Sequence, residues 1–270
     1  MVNAKFSKQD LIELLDDFLI TGDEKELTEY LLSKSNLPGP RGNLELAQAF
    51  ADLVEVNFSK NPEEIWDLCI SAAEISSDDA PVNDPKEFVT FCGAYAIGAI
   101  GSVSSSLFDK AVSLLKELGR DSRWRTREAV AMGLQKMIAR KPEETLKALD
   151  DWIENSDWLA MRAVVAGVAE PFLLKNVYIA EKALAFHTKI FAKIFAAKER
   201  KSYEFKAMRK GLGYSFSVVV CSLPREGFKL MCKLASSQDA DILWIVKQNL
   251  GKNRLIRNFP DEVASVKNLF

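Results

Sequence analysis

The chain of 270 residues has few of the residues that build metal sites and disulfide frameworks. It contains one histidine, His187, and four cysteines, none of which forms a CxxC pair. We therefore expect neither a zinc site nor a disulfide framework, and we expect a reducing, cytoplasmic setting. Thirteen glycines and nine prolines are few for this length. That scarcity argues against a turn-rich β-sandwich or β-barrel.

Long apolar runs are also missing. No apolar stretch reaches the length that a bilayer span requires, so no membrane partner is expected. The first thirty residues are rich in acids, which is the opposite of the composition of a signal peptide.

The formal net charge of −2 conceals a strong asymmetry along the chain. Residues 1–118 hold 9 Lys+Arg against 21 Asp+Glu, whereas residues 119–270 hold 27 against 17. The basic part could attract a polyanion such as nucleic acid. It could equally pair with the acidic part of a neighbouring protein molecule, so the charge pattern leaves both kinds of partner open.

Apolar residues recur with the spacing of an amphipathic helix along most of the chain. In Asp10–Leu19 they lie at positions 11, 14, 15, 18 and 19, on one stripe. Pro62, Pro142 and Pro224 each open a segment with acids in its first turn, as helices often begin. No segment shows sustained strand alternation, so the sequence predicts an all-α fold. The predicted helices lie at about 10–19, 23–36, 43–58, 62–75, 85–100, 105–118, 122–139, 142–154, 157–170, 177–198, 202–221, 224–236 and 239–250.

A short pattern of small residues recurs along the chain. Ala94-Tyr95-Ala96-Ile97-Gly98 returns as Ala129-Val130-Ala131-Met132-Gly133 and again as Ala163-Val164-Val165-Ala166-Gly167. The pattern returns after 35 and then 34 residues, and Trp124 and Trp158 are also 34 residues apart. The repetition predicts a single domain over 1–270, an α-solenoid of HEAT-like antiparallel helix pairs in which one helix layer lines a concave groove. An irregular globular helical domain is the alternative.

Two of these repeats place a tryptophan four residues before a charged residue. The pairs are Trp124 with Glu128 and Trp158 with Arg162, and each pair shares one face of its helix. Aromatic faces, a carboxylate and a guanidinium along a groove could bind a cationic or sugar-phosphate ligand. The same spacing also arises for purely structural reasons, when the tryptophan packs into the next repeat and the arginine pairs with the preceding turn.

Three short segments carry a resemblance to a known family. They are Trp124-Arg125-Thr126-Arg127-Glu128, Asp157-Trp158-Leu159-Ala160-Met161-Arg162-Ala163, and Phe205-Lys206-Ala207-Met208-Arg209-Lys210-Gly211-Leu212-Gly213-Tyr214. They resemble successive repeats of the AlkD family of alkylpurine-DNA glycosylases, which are HEAT-like solenoids. The resemblance covers about 86–251 and includes the helical segment Asp241–Leu250.

The resemblance implies hydrolysis of the N-glycosidic bond of a cationic alkylated purine in duplex DNA, with no metal or cofactor. Glu128 would stabilise developing positive charge on the sugar and position water, while Trp124 and Tyr214 would contact the deoxyribose. Arg162 would grip the DNA backbone. Glu128 stands where the family has aspartate, and Tyr214 stands where it has tryptophan.

Two basic clusters are candidates for phosphate contacts. Arg120, Arg123 and Arg127 form one helical stripe with Arg125 beside it, and a second cluster runs from Lys193 to Lys210. Each cluster could instead be a solvated helix face. Taking clusters and resemblance together, we predict DNA contacts from Arg123, Arg127, Trp158, Arg162, Arg209 and Lys210.

The sequence thus predicts a HEAT-like protein of the DNA alkylation repair superfamily that binds duplex DNA in its groove, and it leaves glycosylase activity open. The alternative is a non-enzymatic scaffold that binds a protein partner on its concave face.

Overall fold

The structure, a computed structural model, describes residues 6–155 and 157–269. Within these ranges the chain is helical and contains no β-strand, which confirms the all-α prediction. A short 3-10 helix spans Leu173–Lys175. The α-helices are α1 (Lys8–Thr21), α2 (Lys25–Ser33), α3 (Leu44–Asn57), α4 (Pro62–Ala73), α5 (Pro85–Val103), α6 (Phe108–Leu118), α7 (Trp124–Arg140), α8 (Pro142–Asn155), α9 (Trp158–Gly167), α10 (Val177–Ala196), α11 (Tyr203–Ser222), α12 (Pro224–Ala235), α13 (Ala240–Leu250), α14 (Asn253–Asn258) and α15 (Pro260–Lys267).

The described chain forms two compact units, divided between Arg140 and Lys141. Unit 1 contains α1–α7 and unit 2 contains α8–α15. The boundary follows α7 and does not coincide with the change of charge near residue 118. No described helix combines the length and the apolar character that a bilayer span requires.

Helix α5 is the centre of unit 1, where it contacts α2, α3, α4, α6 and α7. Glycines bring α5 and α7 together backbone to backbone, because a Cβ on Gly98 would lie 2.2 Å from the Cα of Gly133. No side chain fits such an approach. The small residues that recur in the sequence therefore mark the place where these two helices cross.

Helix α11 is the centre of unit 2, where it lies between α9 and α13 and also contacts α10 and α12. Gly211 of α11 lies beside α9, since a Cβ on this residue would be in ordinary van der Waals contact with the Arg162 side chain at 3.4 Å. The buried side chain of Asn249 accepts a hydrogen bond from the Ser217 N–H at 2.7 Å and donates one to the Leu212 carbonyl at 2.9 Å. These bonds fix α13 against α11, so α9, α11 and α13 lie side by side within unit 2.

Candidate nucleic-acid interface

Trp124 and Glu128 lie one turn apart on the exposed side of α7 in unit 1. The indole of Trp124 is 45% exposed, and the guanidinium of Arg125 stacks against it at 4.5 Å from the ring centroid. Arg125 is buried and donates hydrogen bonds to the Glu87 carboxylate at 2.9 Å and to the Gly39 carbonyl at 2.7 Å. The buried ion pair of Arg125 and Glu87 therefore fixes the orientation of Trp124. The carboxylate of Glu128, on the same helix, is exposed.

Arg123, which we expected to contact DNA, is buried in unit 1 and only 2% exposed. Its guanidinium donates to both carboxylate oxygens of Asp121, at 2.9 and 2.6 Å. It also donates to the carbonyls of Ile75 at 2.9 Å and Ala80 at 3.1 Å. A guanidinium with its donors engaged inside the protein is not available to a phosphate, so the predicted contact is corrected to a structural role.

Arg127, the second arginine of the predicted stripe, is also buried, at 5% exposure. Its guanidinium donates to the main-chain carbonyls of Asp121 and Ser122, the latter at 3.0 Å. The expectation that Arg127 contacts DNA is corrected for the same reason. Its side chain turns back to hold the segment that leads into α7.

In unit 2, Trp158 begins α9 and Arg162 follows one turn later, both half-buried. The ring of Trp158 meets the ring of Phe205 edge to face, with centroids 5.3 Å apart. The side chain of Arg162 lies beside Gly211 of α11. The two predicted contact residues on α9 are thus positioned by α11, and part of each side chain remains open to solvent.

Arg209 of α11 lies against α13, where its guanidinium stacks over Trp244 at 4.6 Å from the ring centroid. It also forms an ion pair with Asp241, one turn before that tryptophan. Gly213 makes room for the indole, because a Cβ there would lie 3.2 Å from Trp244. Sequence reasoning did not single out Trp244, although it lies in the segment Asp241–Leu250 that contributed to the resemblance.

Tyr214 of α11 is 52% exposed and is surrounded by cations. Arg254 donates a hydrogen bond to the phenol oxygen at 2.9 Å, and its guanidinium carbon lies 4.7 Å from the ring centroid. The Lys252 ammonium lies 5.7 Å from the same centroid. Lys210, one turn before Tyr214 on α11, is also exposed. Sequence reasoning missed Lys252 and Arg254 because only their place within a basic stretch distinguished them.

Two of the remaining cations of the second predicted cluster form ion pairs within unit 2, whereas Lys198, Lys201 and Lys206 are exposed. Lys193 pairs with Glu154 of α8 at 3.4 Å, and Arg200 pairs with Asp239 at the start of α13. The cluster is therefore divided between structural ion pairs and an open surface.

The contacts in unit 2 join α9, α11, α13 and the start of α14 into one surface, which we name the unit 2 basic face. Cations neutralise phosphates, and exposed aromatic rings offer faces to sugars and bases. Both kinds of group occur side by side on this surface. Its members are Trp158, Arg162, Arg209, Lys210, Tyr214, Trp244, Lys252 and Arg254.

No protein-family model matches this chain, and no curated protein matches it. A solved crystal structure of an engineered protein is similar to it, with 16% sequence identity, a TM-score of 0.35, and coverage of 95% of this chain and 97% of that chain. A similarity of this size carries no argument about fold family or function.

Proposed function

We propose that this protein binds the sugar-phosphate backbone of nucleic acid, and of duplex DNA in particular, through the unit 2 basic face. One observation carries the proposal: cations and aromatic rings from α9, α11, α13 and α14 are linked by direct contacts into a single surface. The resemblance to alkylpurine-DNA glycosylases supports the same ligand. We also propose that the helix pairs are HEAT-like repeats, because alternate helices lie side by side in each unit.

Binding through this surface would be electrostatic and independent of base sequence. Contacts to phosphates position a protein on DNA but carry no base information. If Arg162, Lys210 and the neighbouring pair of Lys252 and Arg254 each neutralise one phosphate, the logarithm of the association constant should fall with the logarithm of salt concentration at a slope of about −2.7. Binding is then strong only at low ionic strength.

The test compares two double variants that remove the same charge. In the first, Arg162→Gln and Lys210→Gln change the unit 2 basic face. In the second, Lys229→Gln and Lys233→Gln change two exposed lysines of α12. We expect the first variant to bind a 20-base-pair duplex more weakly, by about tenfold or more at low salt, with a salt slope reduced by about 1.8. The second should behave like the wild type in fluorescence anisotropy titrations.

Equal losses in both double variants would mean that net charge alone draws DNA to the protein, and the proposed surface would be wrong. A wild-type protein that binds no duplex at low ionic strength would overturn nucleic-acid binding and favour the protein-scaffold function.

Base excision is the second candidate function. It is favoured by the exposed face of α7, where Trp124 and Glu128 lie one turn apart and the indole is held by Arg125. A fixed aromatic ring and a carboxylate are the groups that a cationic transition state requires.

A further inference from the structure

The hydroxyl of Tyr214 has an unusual surrounding for an exposed tyrosine. Its oxygen accepts a hydrogen bond from Arg254 Nη2 at 2.9 Å. A phenol oxygen that accepts from a guanidinium must turn its own hydrogen away from that donor. Among the residues that the structure describes, none accepts this hydrogen. The Tyr214 O–H therefore points toward solvent, and a ligand that meets it must be a hydrogen-bond acceptor.

The cations around Tyr214 add a requirement for negative charge. Lys252 and Arg254 lie over the ring, and Lys210 precedes Tyr214 by one turn of α11. None of these three cations forms an ion pair with a described carboxylate. The donation from Arg254 polarises the phenol, and hydrogen bonds with an ionised partner are stronger than neutral ones. An oxyanion at this point would meet one polarised hydroxyl and several positive charges.

The site is held in place by contacts beneath it. The thiol of Cys221 on α11 donates to the main-chain carbonyl of Arg254 at 3.7 Å. The next residue, Leu255, is fully buried. The segment that carries Lys252 and Arg254 is therefore anchored against the helix that carries Tyr214, and the donors are arranged before a ligand arrives.

We propose that Tyr214, Lys252 and Arg254 form a binding site for one phosphate group, in which the Tyr214 hydroxyl donates its hydrogen to a phosphate oxygen. The inference rests on the proposed function and names the part of the ligand that this corner of the unit 2 basic face holds. The ligand is a phosphodiester within a strand or a phosphate monoester at a strand end, since both present the same oxyanion. Tyr214 then contacts phosphate. The resemblance implies that this position contacts deoxyribose, and on this proposal other residues make that contact.

The central test is Tyr214→Phe, which removes the hydroxyl and keeps the ring. We expect this variant to bind duplex DNA about tenfold more weakly, with an unchanged salt slope because no charge is lost. Arg254→Gln should weaken binding and also reduce the salt slope, because it removes one of the two charges that neutralise this phosphate. Duplexes with and without a terminal 5′-phosphate distinguish the two ligands: dependence on the terminal group identifies the monoester, and independence identifies the phosphodiester.

The matched control is Tyr178→Phe. Tyr178 is exposed, and the Lys182 ammonium lies over its ring at 5.8 Å, but it lies on α10, outside the unit 2 basic face. Its hydroxyl should be dispensable for DNA binding. Melting temperatures of both tyrosine variants should equal that of the wild type, because both side chains are exposed.

Two results separate this inference from the proposed function. If Tyr214→Phe binds DNA like the wild type while the Arg162 and Lys210 double variant does not, the phosphate site is wrong and the basic face stands. If the wild type binds no DNA, inorganic phosphate is titrated while the guanidinium signal of Arg254 is followed by NMR. A shift that Tyr214→Phe abolishes supports the phosphate site by itself, and no shift overturns it.

Discussion

Glu128 carries the charge on which a catalytic function would depend. It is exposed on α7, one turn after Trp124. Because the amide of glutamine has the same size but no charge, Glu128→Gln should slow the release of alkylated purine and leave DNA affinity nearly unchanged. The expected loss in rate is about 10²–10³. The measurement is excision of bases from methylated duplex.

Glu64→Gln provides the matched control, since it removes one exposed carboxylate from α4 of the same unit. This control should excise at the wild-type rate. A wild-type protein that releases no base over a range of salt concentrations would contradict the catalytic function while leaving DNA binding intact.

The burial of Arg123 and Arg127 is the part of the candidate site that the sequence could not reveal. Helical spacing places both residues on one stripe, and it does so equally well for a solvated face and a buried one. Their partners decide the matter. The carbonyls of Ile75 and Ala80 that hold Arg123 lie more than forty residues earlier in the chain. Spacing within one helix carries no information about such partners.

At the scale of helices, periodicity and end signals were informative. All thirteen predicted helices are present, and proline opens α4, α8 and α12 as expected. Helix α6 begins at Phe108, later than predicted, because the Ser104 hydroxyl accepts a hydrogen bond from the Leu107 N–H and forms a turn there. Helices α14 and α15 were missed since each is too short to show periodicity. Pro260, followed by two acids, repeats the start signal and could have located α15.

The hydrogen bonds of Arg123 join the segment before α7 to the connection between α4 and α5. We expect these bonds to make the largest contribution to the stability of that region. We expect Arg123→Ala to lower the free energy of unfolding by about 3–5 kcal/mol, because it leaves buried carbonyls and the Asp121 carboxylate without their donor. Arg120→Ala is the control. Its pair with Glu117 is exposed, and such pairs contribute about 0–1 kcal/mol. Urea denaturation of both variants measures the difference, and equal losses would contradict the structural role of Arg123.

At the scale of the whole molecule, charge is divided between the units. Residues 1–140 hold 15 Lys+Arg against 23 Asp+Glu, and residues 141–270 hold 21 against 15. The excess of positive charge thus belongs to the unit that contains the basic face. Because a polyanion is attracted by local rather than net charge, an overall charge of −2 is compatible with nucleic-acid binding.

The stability of the molecule in acid should depend on His187. Burial lowers its pKa from the ordinary value of 6.5 to about 4. Its Nδ1 lies 2.8 Å from the Ala183 carbonyl and must donate to it, so Nε2 of the neutral ring accepts from the Ser215 hydroxyl at 2.9 Å. The unfolded chain binds the proton more readily than the folded one. The free energy of unfolding should therefore be highest above pH 6.5 and fall by about 3 kcal/mol as the pH drops toward 4.

Chemical denaturation at several pH values measures this loss. His187→Asn cannot take up the proton and should show little pH dependence between pH 6.5 and 5, above the range in which the lowered pKa values of Glu154 and Glu204, ordinarily 4.5, affect stability. Burial raises the pKa of Asp239, but hydrogen bonds and the charge of Arg200 outweigh this effect, so the pKa lies below its ordinary value of 3.8. Protonation of Asp239 therefore changes the free energy of unfolding only at a pH below this window. Parallel pH profiles for wild type and variant would contradict the role of His187.

The crossing of Gly98 and Gly133 has a mechanical consequence for unit 1. If α7 rolled about its own axis, Met132 or Leu134 would replace Gly133 at the crossing, and neither side chain fits against the α5 backbone. Rotation of α7 alone is thereby blocked. Trp124 and Glu128 can therefore move only together with the α5–α7 pair, so a ligand bound to this helix would meet a rigid surface whose orientation is fixed by the glycine crossing.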